Sequence, residues 1–158
     1  MEQGASKGLE TLEVWQRSLD FASKVCKKIL PLLPSEEKYS MMLQLRRAVQ
    51  SIPANIAEAY GRYHYQDSIR FCYIARGSLE ETFSHLTLAR ELGYLPNAEF
   101  SALAEDVRKL RRMLNGYILF LKRSKRGENE LGATYPIREE ISSYLADIDP
   151  EITNPSDT

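Results

Sequence analysis

Apolar side chains recur at alternating steps of three and four residues in four long segments of this chain. The most regular segment is the last, with apolar residues at Phe100, Leu103, Val107, Leu110, Leu114, Tyr117 and Leu121. This spacing places the apolar side chains on one side of an α-helix, and so it predicts a helix that packs along its length. Because short connections join the four segments, the sequence predicts an all-α, up-down-up-down antiparallel four-helix bundle.

The same pattern predicts the bounds of the helices. We expect helices over residues 12–33, 38–60, 66–92 and 97–126, with Thr11 and Asn97 as N-terminal caps. The apolar seams of the first and third helices are Leu12, Trp15, Leu19, Ala22, Cys26, Ile29 and Leu33, and Cys72, Ala75, Leu79, Thr82, Leu86 and Ala89. Residues 1–10 are expected to be flexible, 11–126 to form the bundle, and 127–158 to form a mostly irregular acidic tail with a short helix over 141–148.

Pro53 interrupts the apolar pattern of the second helix, which continues through Val49, Ile52 and Ile56. Proline has no backbone N–H and its ring crowds the carbonyl four residues earlier, so it costs roughly 3 kcal/mol inside a helix. Two interpretations stay open at this point. Either another interaction compensates the cost, or Pro53 ends one helix and starts the next.

Short polar side chains accompany this proline on the neighbouring side of the same helix. Ser51, Asn55, Glu58 and Arg62 are spaced by four, three and four residues. A solvated helix face more often carries long Lys and Glu side chains. The stripe therefore predicts a buried or half-buried seam of hydrogen bonds, in which the carbonyl freed by Pro53 finds a donor.

The third helix is apolar beyond a single stripe. Its additional apolar residues are Ile69, Phe71, Ile74 and Phe83. Such a helix usually buries a second face, which in a small bundle predicts contact with another subunit. Arg70, Arg76 and Arg90 lie along or beside this surface, and an unpaired buried cation is costly, so we expect them to be paired. The expected partners are carboxylates such as Glu58, Glu80 or Glu81, or a ligand anion.

Several ordered motifs resemble a bacterial four-helix-bundle family, the proteins encoded in intervening sequences of large-subunit ribosomal RNA genes. They occupy residues 45–48 (LRRA), 51–58 (SIPANIAE), 61–62 (GR), 70–71 (RF) and 73–79 (YIARGSL). The chain is also distantly similar to the accessory variability determinant of diversity-generating retroelements, a basic pentameric bundle that works with a reverse transcriptase and RNA. The resemblance implies a four-helix bundle and a homopentamer, but no agreed biochemical activity.

The net charge of −1 conceals an uneven distribution. Residues 1–126 contain 20 Lys and Arg against 14 Asp and Glu, whereas residues 127–158 contain 1 against 8. In the fourth helix the basic residues cluster within an arc of about 120° opposite the apolar seam. They are Arg108, Arg111, Arg112, Lys122, Arg123 and Arg126. This basic stripe is either a solvated helix face or a surface for phosphate groups, which arginine binds with its forked guanidinium.

Aromatic residues bear on whether the chain binds nucleic acid. Tyr63, His64 and Tyr65 form an aromatic link between the second and third helices, which either covers the end of the bundle or stacks a nucleobase. No aromatic residue interleaves with the basic stripe, which argues against stacking of single-stranded bases there.

The sequence lacks the usual signatures of enzymes and metal sites. Neither His64 nor His85 follows a Glu by three residues, as the di-iron sites of four-helix bundles require. We therefore expect no enzymatic activity, no metal and no cofactor. Cys26 and Cys72 are predicted core residues. No stretch resembles a membrane span or a signal peptide, so we expect no membrane partner and a cytoplasmic location.

Two functional hypotheses remain. In the first, a ring of identical subunits binds RNA or DNA backbone through the basic stripes, and the acidic tail competes for that surface. In the second, the protein is a structural adaptor that binds a protein partner through the tail or the ring surface. The sequence gives no identity for the nucleic acid or for the protein partner.

Overall fold

A computed structural model describes residues 8–129 of the chain. Four helices, α1 (Glu13–Lys24), α2 (Met41–Gly61), α3 (Tyr65–Glu91) and α4 (Asn97–Ser124), account for most of it. Each helix packs against the next, and α4 packs back against α1. The start of α1, the end of α2, the start of α3 and the end of α4 meet at one end, where Leu12, Tyr60, Tyr65 and Leu121 line a common cleft. The predicted all-α, up-down-up-down bundle is confirmed.

The first helix agrees with its predicted extent and, in part, with its predicted buried face. Beyond Lys24 it continues as a π-helical turn, Val25–Ile29, and a short 3-10 turn, Leu30–Leu32. The predicted seam residues Ala22, Ile29 and Leu33 are buried, but Leu19 is 45% exposed. The buried face also includes Val14, Ser18, Phe21 and Val25. The pattern missed this face because it contains a serine. The hydroxyl of Ser18 donates to the carbonyl of Trp15 at 2.7 Å, so the serine is satisfied inside the core.

Pro53 lies inside an unbroken α2. The interpretation that it ends one helix and starts another is wrong. Ile52 and Ile56 flank the proline and are fully buried, and burying each isoleucine stabilises the fold by about 1.5–3 kcal/mol. This burial offsets the roughly 3 kcal/mol that a proline costs within a helix. A 3-10 turn, Ser35–Tyr39, precedes the helix, which begins three residues later than predicted.

The predicted seams of α3 and α4 agree with the structure. All six predicted seam residues of α3 are buried, as are those of α4 except Tyr117, which is partly buried. The two predicted caps are wrong, because Leu12 and Pro96 occupy the cap positions before α1 and α4. Gly93 follows α3 with φ at +77°, a conformation that glycine adopts without strain.

The remaining predictions for the chain fall partly outside this region. Residues 1–7 and the acidic tail from residue 130, including the predicted helix over 141–148, lie outside the described residues. A 3-10 turn, Leu9–Thr11, precedes α1. Cys72 is buried in the core as predicted, and Cys26 is partly buried and packs against it.

A substitution of Leu79 tests how much the α3 seam contributes to stability, because this side chain is 0% exposed. Leu79→Ala is expected to lower the free energy of unfolding by about 2–5 kcal/mol, since it removes buried methyl groups and leaves a cavity. Leu19→Ala, at the exposed position on α1, should change it by less than about 1 kcal/mol. Urea denaturation followed by circular dichroism measures both values, and equal decreases would contradict the packing described above.

The two cysteines should differ in reactivity. Burial raises the pKa of the Cys72 thiol from 9.0 to about 12, and the thiolate is the reactive form. A thiol reagent at pH 8 is expected to label Cys26 in the folded protein and both cysteines in urea, while Cys26→Ser should leave the folded protein unlabelled. Rapid labelling of that variant would show that Cys72 is accessible.

The raised pKa of Cys72 also predicts an alkaline loss of stability. Above about pH 9 the unfolded chain releases the thiol proton, whereas the folded chain keeps it until about pH 12. The unfolded state then binds fewer protons, so the contribution of Cys72 to folding declines as the pH rises through this window. Cys72→Ala should lessen the decline in urea midpoint between pH 9 and 10.5, and an identical decline would contradict the assignment.

Candidate functional site

Ser51 and Asn55 form the predicted polar seam, together with a residue from the facing helix. The Asn55 side-chain amide lies 2.8 Å from both the carbonyl and the hydroxyl oxygen of Ser51. Across the α2–α3 contact, the hydroxyl of Ser78 lies 2.9 Å from that of Ser51. The half-buried seam of hydrogen bonds is thus confirmed for Ser51 and Asn55, and it joins α2 to α3 within one subunit. These bonds reach Ser51, so a donor for the carbonyl of Val49, which Pro53 frees, stays a prediction. The sequence stripe did not include Ser78, which lies on another helix.

The other two members of that stripe are exposed and paired with each other. Glu58 and Arg62 form an ion pair at 3.0 Å along α2. The guanidinium of Arg62 also lies 4.8 Å from the ring centroid of Phe71, at the start of α3. Exposed pairs of this kind contribute little to stability. Their contribution is to hold Arg62 beside the end of the bundle where α2 finishes.

The arginines of α3 have partners, as expected. Arg70 pairs with the carboxylate of Asp67 at 3.9 Å. Arg76 donates to the buried Asn115 of α4 at 3.4 Å and lies over the ring of Tyr73. The suggested carboxylates Glu58, Glu80 and Glu81 contact Arg62, Arg111 and His85.

The middle of the predicted basic stripe is largely neutralised. Arg108 donates two hydrogen bonds to Glu105, at 3.0 and 2.7 Å. That contact, with the charges of Arg108, Lys109 and Arg112, holds the pKa of Glu105 below its usual value. The guanidinium of Arg111 donates two hydrogen bonds to the carboxylate of Glu80 on α3, at 2.6 and 2.8 Å. These residues form carboxylate-paired contacts rather than an open cationic surface.

The last part of the stripe has a different environment. Lys122 and Arg123 lie in the final turn of α4, and Arg126 follows the helix. Arg123 is exposed and forms no ion pair with a carboxylate of residues 8–129. The guanidinium of Arg126 lies 4.6 Å from the ring centroid of Tyr63. The structure thus distinguishes a paired middle group (Arg108, Lys109 and Arg111) from a terminal group (Lys122, Arg123 and Arg126). Arg112 is exposed and belongs to neither group.

Arg126, of the terminal group, lines a cleft of about 450 Å³, which we call the end cleft. Five aromatic residues line it: Tyr60, Tyr63, Tyr65, Tyr117 and Phe120. Arg62 and Arg126 complete its charged wall. Of the basic stripe only Arg126 lines this cleft, so the aromatic residues lie beside the end of the stripe and do not interleave with it. The sequence did not reveal the cleft because its rings come from three separate helices.

A backbone contact holds the end cleft together. The amide of Tyr65 donates to the carbonyl of Arg126 at 3.0 Å, and Nδ1 of His64 lies 3.3 Å from the carbonyl oxygen of Gly127. Gly127 has φ at +78°, and a Cβ there would approach His64 Nδ1 to 2.5 Å, so glycine is required at this close contact. The aromatic link between α2 and α3 therefore packs on the chain leaving α4, and covers the bundle end as one of its two interpretations predicted.

Tyr117 supplies a neutral hydroxyl to the cleft wall. Burial raises its pKa to about 12, and the neighbouring Cys72 and Tyr60 act in the same direction, while Arg126 opposes them. The phenol therefore remains protonated at neutral pH and keeps its capacity to donate a hydrogen bond.

A second cleft, of about 480 Å³, lies between α1 and α4. Its walls carry charges of both signs, and Lys24 contacts Asp106 across it at 2.6 Å. Because its charges are mixed, it favours no one class of charged ligand.

Other kinds of site find no support in the part of the chain that the structure describes. Residues 8–129 contain no cluster of His, Cys, Asp and Glu suited to a metal ion. Within the same range, none of the helices combines the length and apolar character needed to cross a bilayer.

Comparisons with known proteins agree with the four-helix fold. A solved structure from Bacteroides thetaiotaomicron, of a protein of unknown function from the S23 ribosomal protein family, is similar with a TM-score of 0.61 and 28% identity. The match covers 66% of this chain and 97% of that one. A comparison with curated proteins finds no match. The sequence model of the 23S rRNA-intervening sequence protein family matches residues 10–116, and the chain belongs to this family.

Proposed function

We propose that this protein is a non-enzymatic, homo-oligomeric bundle that binds the phosphate backbone of RNA or DNA through the terminal group at the end of α4. The observation that carries the proposal is that Arg123 and Arg126 are exposed at the end of α4, with Arg126 in the wall of the end cleft, while Arg108 and Arg111 are occupied by carboxylates. Backbone binding draws on accessible cations, because each contact with a phosphate releases a counterion.

The names of the family and of the similar structure support RNA as the partner. The family is described by 23S rRNA-intervening sequences, and the similar solved structure by a ribosomal protein family. Arginine outnumbers lysine in the terminal group, and its planar fork matches two phosphate oxygens. Binding to ribosomal RNA would also fit a cytoplasmic location.

Self-association completes the proposal. On α3, Ile74 and Leu88 are 46% and 48% exposed and lie four helical turns apart, within about 40° of the same face. A second copy of the chain would cover them. We propose a pentamer, as the family resemblance implies. A ring repeats the terminal group on each subunit, so weak single-subunit contacts gain avidity.

Charge removal at two places on the same chain tests the binding surface. A variant with Lys122→Gln, Arg123→Gln and Arg126→Gln should lose most of its affinity for RNA and DNA at low salt. The slope of log affinity against log salt should become shallower by about 0.7–0.9 for each phosphate that the variant no longer neutralises. Fluorescence anisotropy over a salt titration, with labelled single- and double-stranded probes, measures both quantities.

The matched control removes the same charge from the paired middle group, with Arg108→Gln, Lys109→Gln and Arg111→Gln. It should retain most of the affinity, and circular dichroism should show that both variants fold. If the control loses as much affinity as the terminal variant, net charge rather than a defined surface drives binding. If neither variant changes an observed binding, the proposed surface is wrong.

The exposed face of α3 gives a separate test of assembly. Ile74→Glu with Leu88→Glu should reduce the subunit number, because each glutamate places a charge in an apolar contact. Light scattering on the wild-type protein is expected to show five subunits. Leu19→Glu, at the similarly exposed position on α1, should leave that number unchanged, and an unchanged mass for the α3 variant would exclude this face as the interface.

A further inference from the structure

We propose that the end cleft holds one unpaired nucleobase of a bound RNA or DNA strand, stacked on its aromatic wall, with the adjoining phosphate at Arg126. This inference rests on the nucleic-acid binding proposed above and adds a site for the base itself. The terminal cations account for attraction to the backbone, but they do not account for the five aromatic rings beside them.

The size and lining of the cleft suit a planar, partly apolar ligand. Its volume of about 450 Å³ falls within the roughly 300–1,000 Å³ of small-molecule sites. Tyr117 and Phe120 lie in a near-parallel pair, with ring centroids 6.2 Å apart and planes at 14°. Phe120 is 63% exposed although it is fully apolar. An exposed aromatic face beside a cleft is the arrangement on which proteins stack unpaired bases.

Arg126 favours an anionic occupant of the cleft. It lines the cleft and forms no ion pair with a carboxylate of residues 8–129, whereas Arg62 lines it while paired with Glu58. The exposed Arg123 lies nearby in the last turn of α4. Arg126 is held over the ring of Tyr63 at 4.6 Å, and its own carbonyl accepts the amide of Tyr65. The guanidinium of Arg126 is therefore already positioned at the wall of the cleft before a ligand binds. This lowers the conformational entropy that binding has to remove.

These features together distinguish a nucleotide from other occupants. An apolar side chain of a second subunit would use the rings but not the arginines. A free phosphate would use the arginines but not the rings. A nucleotide within a strand uses both, because its base stacks and its backbone carries the negative charge.

A fluorescent base analogue tests the inference directly in the full chain. The probe is a short single strand with 2-aminopurine at one position, and its partner is the same strand with an abasic site there. We expect quenching of the 2-aminopurine on binding, and tighter binding of the base-containing strand. Phe120→Ala should weaken binding of that strand by roughly tenfold, and should leave binding of the abasic strand nearly unchanged.

The opposite end of the bundle offers a matched control. Tyr39 is 81% exposed, and Lys38 lies 5.2 Å from its ring centroid. This pair repeats the contact of a cation with a tyrosine, but it lies before α2 and lacks the end cleft. Tyr39→Ala should change neither the quenching nor the affinity for either strand.

The outcomes separate this inference from the proposed function. Equal, salt-sensitive binding of both strands, unaffected by Phe120→Ala, would overturn the base site and leave backbone binding intact. If neither strand binds, both the base site and the proposed backbone binding are overturned. If adenosine monophosphate binds as tightly as the strand, the cleft serves free nucleotides instead. If Phe120→Ala lowers the subunit number seen by light scattering, a second copy of the chain occupies the cleft.

Discussion

The rest of the structure depends on the packing of α2 against α3, the most extensive contact between helices in the described region. Ile52 and Ile56 of α2, with Leu79 and Leu86 of α3, are fully buried. The free energy gained by burying these four side chains exceeds the free energy that a proline costs inside a helix. Pro53 can therefore remain inside α2. The Ser51–Ser78 hydrogen bond lies beside this apolar seam and satisfies polar groups that the contact excludes from water.

The alternation of helix directions brings distant parts of the chain to one end of the bundle. The end of α4 meets the start of α3 through the backbone bond between Tyr65 and Arg126. The ends of α2 and α4 point the same way, so their carbonyl ends share one region with Arg62 and Arg123. Basic side chains favour this position because the C-terminal end of a helix carries partial negative charge. Arg62 is paired with Glu58, whereas Arg123 has no carboxylate partner among residues 8–129.

Local carboxylates decide which cations of α4 remain available. Glu105 lies on α4 three residues before Arg108, and Glu80 of α3 faces Arg111. Such pairs are worth little to stability when exposed, but they reduce the attraction of these arginines for phosphate. Beyond Gly116 the described part of α4 carries no acidic residue. The difference in ion pairing along α4 therefore arises from the positions of nearby carboxylates and not from the number of its arginines.

Apolar spacing alone determined the number of helices, their antiparallel order and the buried faces of α3 and α4. These predictions succeeded because one stripe in each helix is clearly more apolar than its neighbours. In α1 two stripes compete, and tertiary packing chose the one containing Ser18, whose hydroxyl is satisfied by a backbone carbonyl. The partners of Arg76 and Arg111 and the gathering of Tyr63, Tyr117 and Phe120 were decided only in three dimensions. Periodicity reports which side of a helix is buried, whereas a site formed between helices depends on how they are aligned along and around their axes.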